Sequence, residues 1–140
     1  MGAWGVGAFD NDDAADWLEV LQTADNEAVL KKALETVQVG ESYLEAPEAI
    51  RMLCSCEIIA ALLGQAALNL PEQAREWVEQ HSSLNVSPLV SAGKKGIDRV
   101  LAEESELDEL WSESKNDYQA WRSSILDLKN RLNGRRGVTS

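Results

Sequence analysis

The chain contains few of the residues that most often carry catalytic chemistry. Its 140 residues include one histidine and two cysteines, and no Gly-x-Ser-x-Gly nucleophile motif occurs. A carboxylate-bridged di-iron bundle needs Glu-x-x-His pairs, and a hydrolase of the triad type needs an activated nucleophile, so neither class fits. We therefore predict a protein that is not an enzyme and that carries no cofactor.

Positive charge is scarce as well. The 24 acidic side chains outnumber the 13 basic ones, which gives a net charge of −11. Because this charge repels phosphate backbones and no basic stripe with interleaved aromatics offsets it, the composition disfavours nucleic-acid binding. The sequence has one basic cluster, Lys129, Arg131, Arg135 and Arg136. We interpret these residues as cations that complement the dipole at the carboxyl end of the last helix.

Long apolar runs and targeting signals are missing too. The longest uncharged stretch, residues 58–71, is shorter than the roughly 20 residues that span a bilayer. The opening MGAWGVGAFDNDDAADW has no basic residue before its apolar part and runs into acidic residues, which is the reverse of a secretory signal. We expect a cytoplasmic protein without membrane contact.

The two cysteines do not form a disulfide or a redox motif. Cys54 and Cys56 are two residues apart in a predicted helix, which separates them by about 200° around the helix axis. They therefore point to opposite sides and cannot bridge each other. We interpret both as small buried hydrophobic residues, because a redox or metal role needs C-x-x-C spacing or further ligands.

What the chain does contain is a succession of helix signals. Capping residues, helix-opening prolines and apolar residues at the helical period recur along the sequence, whereas strand signals are almost absent. The predicted fold is an all-α, single-domain bundle of about six helices within residues 1–134, around a buried central helix. Residues 1–11 are predicted to form a glycine-rich, non-helical packed segment, and residues 135–140 a flexible tail. The predicted helices cover residues 12–23, 25–40, 47–68, 87–101 and 105–134, and a further helix begins at Pro71.

The predicted central helix holds an isolated carboxylate. Residues 49–68 read AIRMLCSCEIIAALLGQAAL and are apolar on nearly every face after Arg51, which is typical of a helix buried among others. None of the residues three or four positions from Glu57 can pair with its carboxylate. Its partner must come from elsewhere in the fold, and a backbone amide, a Trp indole N–H or an arginine would serve. A structural role is favoured over a catalytic carboxyl group.

The acidic cluster at the start of the first helix allows two interpretations. Its sequence resembles the opening of a calcium loop, but Ala14 and Ala15 stand where an oxygen ligand and a glycine are needed. We favour helix capping and dipole complementation by outward-facing aspartates that form a docking surface for a partner. The alternative is a divalent metal site formed with a glutamate brought close by the fold. The predicted partner-binding residues are Asp10, Asp12, Asp13 and Asp16, and the metal candidates are Asp12, Asp13, Asp16 and Glu57.

The aromatic residues are interpreted as anchors of the core. Five tryptophans are many for a chain with one Phe and two Tyr, and their bulk fills a bundle whose other core positions are mostly Ala and Leu. A packing role is favoured over a ligand cage. The residues predicted to be structural are Trp4, Phe9, Trp17, Glu57, Trp111 and Trp121.

The opening string carries a family resemblance. Together with YLEAPE at residues 43–48 and Glu57 in an Ala/Leu-rich helix, MGAWGVGAFDNDDAADW resembles the start of a family of small bacterial proteins described only as a domain of unknown function. The resemblance extends along the chain to Ser105 and Trp111. It implies one domain of this size and bacterial origin, but no activity.

The preferred hypothesis is an acidic, non-enzymatic protein-interaction domain with a basic protein partner. A sharper form is an immunity or inhibitor protein that occupies the substrate groove of a basic toxin. The alternative is a carboxylate-rich metal-binding protein or hydrolase. Two-fold interfaces use ordinary helix faces, so the sequence predicts no oligomeric state.

Overall fold

The computed structural model describes residues 7–38 and 43–134, and within these ranges it contains seven α-helices and no strand. The predicted all-α, single-domain class is confirmed. Trp4, Arg135 and Arg136 lie outside the described residues, as do the first part of the predicted packed segment and the predicted tail. The helices are α1 (Asp12–Gln22), α2 (Ala28–Gln38), α3 (Ala46–Leu62), α4 (Glu72–Gln80), α5 (Val90–Val100), α6 (Glu106–Ser112) and α7 (Tyr118–Arg131), and a 3-10 turn at Ser87–Leu89 precedes α5.

The α1 helix begins after an asparagine cap. Asn11 has an extended backbone, and its Oδ1 accepts the N–H of Ala14 at 2.8 Å. The cap is therefore Asn11 and not one of the predicted aspartates, Asp10, Asp12 and Asp13. Asp12 and Asp13 lie in the first turn, where their charges complement the positive end of the helix dipole, as was also predicted.

The predicted buried central helix is confirmed as α3. This helix contacts each of the six other α-helices described. Its residues from Met52 to Ala60 are all buried, and the buried Ser55 hydroxyl donates to the carbonyl of Leu30 in α2 at 3.0 Å. A helix with no exposed face in this stretch is stabilised by packing on all sides.

The central helix is shorter than predicted. It ends at Leu62, because Gly64 adopts a left-handed backbone with φ of 90° and the N–H of Gln65 turns back to the carbonyl of Ala60 at 2.8 Å. The apolar pattern continued to residue 68 and concealed this glycine cap. Leu68, predicted to be in the buried helix, is 100% exposed.

The long final helix predicted from residue 105 is two helices. The ring centroids of Trp111 and Trp121 lie 5.9 Å apart in a stacked arrangement, whereas ten residues of one continuous helix would separate them by about 15 Å. A turn at residues 113–117 reverses the chain, and the Ser114 carbonyl accepts the N–H groups of Asp117 and Tyr118. This break makes seven helices rather than six.

The α6 helix begins without a side-chain cap. The Ser105 side chain makes no capping bond, and its hydroxyl is buried without a hydrogen-bond partner among the described residues. Backbone pairing between Leu44 and Ser105 holds the start of α6 beside the start of α3. Glu106 uses this position to cap α3, because its Oε1 accepts the N–H of Ala46 at 2.7 Å.

Two glycines allow α5 to approach α3 closely. A Cβ atom on Gly96 would lie 2.8 Å from Sδ of Met52, and one on Gly93 would lie 3.2 Å from Sγ of Cys56. Helix α5 is continuous across both glycines. Their role is to remove side-chain bulk at a helix contact.

Both cysteines are free and buried, as predicted. The Cys54 thiol donates to the carbonyl of Ala8, while Cys56 faces Met52 and Gly93. No helix in residues 7–38 and 43–134 combines the length and the hydropathy needed to cross a bilayer.

Candidate functional site

A cavity of about 850 Å³ opens beside the central helix. Helices α3, α6 and α7 contribute residues to its walls, and the chain segments 7–13 and 66–71 complete the lining. This volume is within the usual range of about 300–1,000 Å³ for ligand pockets. The cavity therefore has the dimensions of a binding site.

The walls are apolar stripes on the helices. On α3 the lining residues Ala46, Ile50, Leu53 and Glu57 follow spacings of four, three and four, which places them on one helix face. On α7 the lining residues are Trp121, Ser124, Ile125, Leu128 and Arg131, with Asp127 beside them. Helix α6 adds Leu107, Leu110 and Trp111.

An ion pair forms one end of the cavity. Arg131 donates from its two terminal nitrogens to the two oxygens of Glu57, at 3.0 and 3.1 Å. Its Nε donates to Asp127 at 2.7 Å, and its Nη1 also donates to the carbonyl of Gln65 at 3.1 Å. The arginine thus joins α3, α7 and the loop that follows α3. Of the partners predicted for Glu57, the structure places an arginine there. Arg131 also lies in the last turn of α7, the position predicted for a cation that complements the helix dipole.

The guanidinium of Arg131 remains charged in this setting. Burial acts to lower the pKa of Arg131, but the hydrogen bonds and charges of Glu57 and Asp127 outweigh it, and the pKa is raised. The side chains of Arg131 and Glu57 are only 15% and 10% exposed. Because the arginine faces two carboxylates, the cluster carries a net formal charge of −1.

Further carboxylates surround the cavity. Asp10, Asp12 and Asp13 line it from the start of α1. With Glu57 and Asp127, the described lining holds five carboxylates against the single guanidinium of Arg131, a net formal charge of −4. An anionic ligand is therefore disfavoured, and a cationic group is attracted.

Apolar surface continues outside the cavity. The loop at residues 66–71 forms part of the lining, and its Leu68 side chain is fully exposed. A ligand confined to the cavity would leave this apolar surface uncovered, whereas a larger partner would bury it.

The structure distributes the predicted site residues as follows. One cavity is lined by four of the predicted acidic residues, Asp10, Asp12, Asp13 and Glu57, and by three of the predicted aromatic anchors, Phe9, Trp111 and Trp121. Asp16 is exposed on α1 but is not part of the lining, and Trp17 is buried in the core. No group of three or more metal-ligating side chains was found among the described residues, so the fold does not assemble the Asp12, Asp13, Asp16 and Glu57 set proposed as a metal site.

Sequence reasoning did not place Asp127, Arg131 or Leu68 at the site. Asp127 and Arg131 are spaced four apart, which is the spacing of a helical ion pair and was a usable signal. Gly64 was a usable helix-stop signal that would have placed Leu68 in a loop. No local signal indicates that Arg131 reaches Glu57, which lies 74 positions away in the chain.

Residues 2–124 match a family model described as a domain of unknown function, DUF4259. The chain belongs to this family. The DUF4259 match includes the acidic cluster, Glu57 and the lining residues of α6, while Asp127 and Arg131 lie beyond its last matched residue. Neither the curated proteins nor the solved structures that were searched gave a match.

Proposed function

We propose that this chain is a protein-interaction domain whose binding site is the acid-rimmed cavity, and that its partner supplies an apolar, positively charged segment. One observation carries the proposal: the same cavity has apolar walls and a net formal charge of −4. Apolar burial supplies affinity, because each Å² removed from water contributes roughly 25 cal/mol. The carboxylates supply the selection for positive charge and a faster association rate.

A protein partner is favoured over a small molecule by the surface around the cavity. Leu68 is fully exposed beside the opening, and a segment of a folded partner would cover it while it fills the cavity. The net charge of −11 also favours a basic protein, since charge complementarity acts over the whole surface. In this proposal the domain binds and performs no chemistry of its own.

An immunity or inhibitor protein is the more specific form of this proposal. Such a protein blocks a basic effector by covering its functional groove, and it acts in the bacterial cytoplasm. The support is the chain's acidity and the apolar site beside its aspartates. The alternative of a metal-binding protein or hydrolase has less support, because the described residues do not bring three ligating side chains together.

Model peptides test the proposal. The full chain is titrated with three synthetic peptides of about four helical turns: a Lys/Leu peptide, a Lys/Ser peptide and a Glu/Leu peptide. Binding is followed by calorimetry and by the fluorescence of Trp111 and Trp121, which line the cavity. We expect the Lys/Leu peptide to bind at least about tenfold more tightly than the other two, a difference of about 1.4 kcal/mol. Equal affinity for the Glu/Leu peptide would contradict the proposed selection for positive charge.

A matched pair of variants locates the binding site. The Asp12→Asn/Asp13→Asn variant should weaken Lys/Leu binding by roughly 3–10-fold at low salt, because two partly exposed ion pairs are lost. The Glu76→Gln/Glu79→Gln variant makes the same change in net charge at two exposed positions of α4 that do not line the cavity. If both variants lose affinity equally, net charge and not the cavity determines binding, and the proposal is wrong.

A further inference from the structure

We infer that the partner inserts one aromatic side chain into the cavity, and that basic residues on both sides of this anchor pair with the carboxylates at the cavity opening. The inference rests on the proposed function, because it names the part of the partner that the same site recognises. The recognised unit is a short motif in which basic residues flank an aromatic one. A long segment with several apolar side chains gains no advantage.

The burial of the helical walls limits what can enter between them. The apolar lining residues of α3 and α7 are at most 8% exposed, and the Glu57–Arg131 pair joins the two helices directly. These walls therefore form a closed floor, which offers contact to a single side chain but no free face for another helix. The cavity volume of about 850 Å³ leaves room at the opening for the residues that flank the anchor.

The more accessible part of the lining is apolar and aromatic. Phe9 and Leu110 are half-buried and remain partly open to a ligand. Trp111 lines the cavity as well, and its ring stacks on that of Trp121 with the centroids 5.9 Å apart. Aromatic rings pack together in offset or edge-to-face geometries, which add to the gain from burial. An aromatic anchor therefore fits this lining better than an aliphatic one.

Two segments that frame the opening are held against each other. The Asp10 carboxylate accepts the N–H of Gly7 at 3.1 Å, and the Gly7 carbonyl accepts the N–H of Asp10, so residues 7–10 form a closed turn. A Cβ atom on Gly7 would lie 3.5 Å from Nδ2 of Asn69, which shows that the loop at residues 66–71 packs against this turn. A preformed opening binds a short motif without a further cost of ordering the site.

The distribution of charge determines which part of the motif enters. Arg131 pairs with both oxygens of Glu57, and four of its five N–H bonds are in use. This buried pair therefore needs no further cation or anion. In contrast, the side chains of Asp12 and Asp13 are exposed and make no hydrogen bond or ion pair with other described residues, and Asp127 is 66% exposed at its side chain. The apolar group enters, and the cations stay at the opening, where charge complementarity favours them.

Short peptides test the inference. The full chain is titrated with three pentapeptides blocked at both ends, Gly-Lys-Phe-Lys-Gly, Gly-Lys-Gly-Lys-Gly and Gly-Glu-Phe-Glu-Gly. Binding is followed by the indole N–H signals of Trp111 and Trp121 in NMR spectra. We expect the Lys-Phe-Lys peptide to bind at least about tenfold more tightly than either control. Replacing its Phe by Leu should weaken binding by about threefold or more, because aromatic contacts are lost. Equal affinity of the Phe and Leu peptides would contradict the aromatic anchor.

A second pair of peptides counts the anchors. One peptide carries two Lys-Phe-Lys units joined by four glycines, and the other has Gly in place of the second Phe, so both have the same charge. A site for one anchor gains little from the second Phe, and we expect less than about a threefold difference in affinity. A difference of about tenfold or more would show that several side chains enter the cavity, and it would overturn the inference.

Filling the cavity provides the site control. Ser124 is half-buried and lines the cavity, so Ser124→Phe places a ring in the path of the anchor. Ser123 is exposed on α7 and does not line the cavity, so Ser123→Phe adds the same bulk elsewhere. With both variants shown to be folded by circular dichroism, we expect Lys-Phe-Lys binding to weaken at least about tenfold for Ser124→Phe and to change less than about twofold for Ser123→Phe. Equal effects of the two variants would place the anchor outside the cavity and overturn the inference.

The outcomes separate this inference from the proposed function. If the pentapeptides do not bind, while the four-turn Lys/Leu peptide binds and Ser124→Phe weakens it, the cavity is the binding site but the inference of one anchor is overturned. If none of the peptides binds, the proposed function fails and the inference fails with it. Concentration-dependent dimerisation that Ser124→Phe abolishes would identify a second copy of this chain as the occupant and overturn the inference. A Trp4→Ala variant that bound peptide at least about tenfold more tightly than the natural chain would show competition from the chain itself and would also overturn it.

Discussion

The ion pair between Glu57 and Arg131 makes a quantitative stability prediction. Arg131→Met removes the cation and leaves the Glu57 carboxylate, 10% exposed at its side chain, without compensation. Breaking a buried pair in this way typically costs about 3–5 kcal/mol. Because Asp127 is largely exposed and regains water, we expect a loss near the lower end, about 3 kcal/mol of the free energy of unfolding. For a chain of this size that corresponds to a decrease in Tm of roughly 10 °C.

The assay is urea denaturation followed by circular dichroism, because guanidinium would screen the charges being studied. Lys129→Met is the matched control, since it removes a cation from the same helix but breaks only the exposed pair with Asp98, and it should cost less than about 1 kcal/mol. The Glu57→Met/Arg131→Met variant should recover at least about 2 kcal/mol relative to Arg131→Met, because no unpaired buried charge is left. A loss below about 1 kcal/mol for Arg131→Met, or additive effects in the double variant, would refute the reasoning.

Two further predictions concern the core around α3. Gly96→Ala should lower the free energy of unfolding by about 1 kcal/mol, because the new Cβ atom would lie 2.8 Å from Sδ of Met52. This crowding exceeds the gain in helix propensity. An increase in the free energy of unfolding, measured by urea denaturation, would contradict the close-approach role of this glycine. Burial, and secondarily the charge of Glu57, raises the pKa of the Cys54 and Cys56 thiols in the folded state. The free energy of unfolding is therefore retained below the unfolded pKa of about 8.5. Above that pH it falls by about 1.4 kcal/mol per pH unit for each thiol, because only the unfolded state loses the proton. Urea unfolding at a series of alkaline pH values checks the slope, which the Cys54→Ala/Cys56→Ala variant should largely remove; an unchanged slope would show that other groups cause it.

The Glu57–Arg131 pair also bears on the proposed binding site. Replacing a buried pair by apolar residues is often neutral or stabilising, so the pair is not the most direct way to stabilise α3 against α7. In the cavity Arg131 fixes the position of Asp127, whose side chain is 66% exposed, and it holds the loop at Gln65 that leads to Leu68. The same contacts thus contribute to the fold and position two features of the proposed binding surface.

The sequence by itself determined the class of the fold and the identity of its central helix. Apolar residues on every face of residues 52–60 leave no surface for water, so any compact structure must bury this helix, whatever surrounds it. The opposite orientations of Cys54 and Cys56 followed from the helical repeat alone. Such features depend on local geometry and on the amount of apolar surface, and both are written in consecutive residues.

Only the tertiary structure decided where helices stop and which distant side chains meet. The apolar pattern runs through Gly64, whereas residues 113–117 are all polar and the spacing of four and three crossed them only through Ser114. Periodicity alone therefore joined segments that backbone turns separate. The cavity arises because the α6–α7 turn brings Trp111 onto Trp121 and places Arg131 beside Glu57, contacts between residues far apart in the chain. The free energy of such contacts depends on the packing of all seven described helices together, and no short stretch of sequence contains that information.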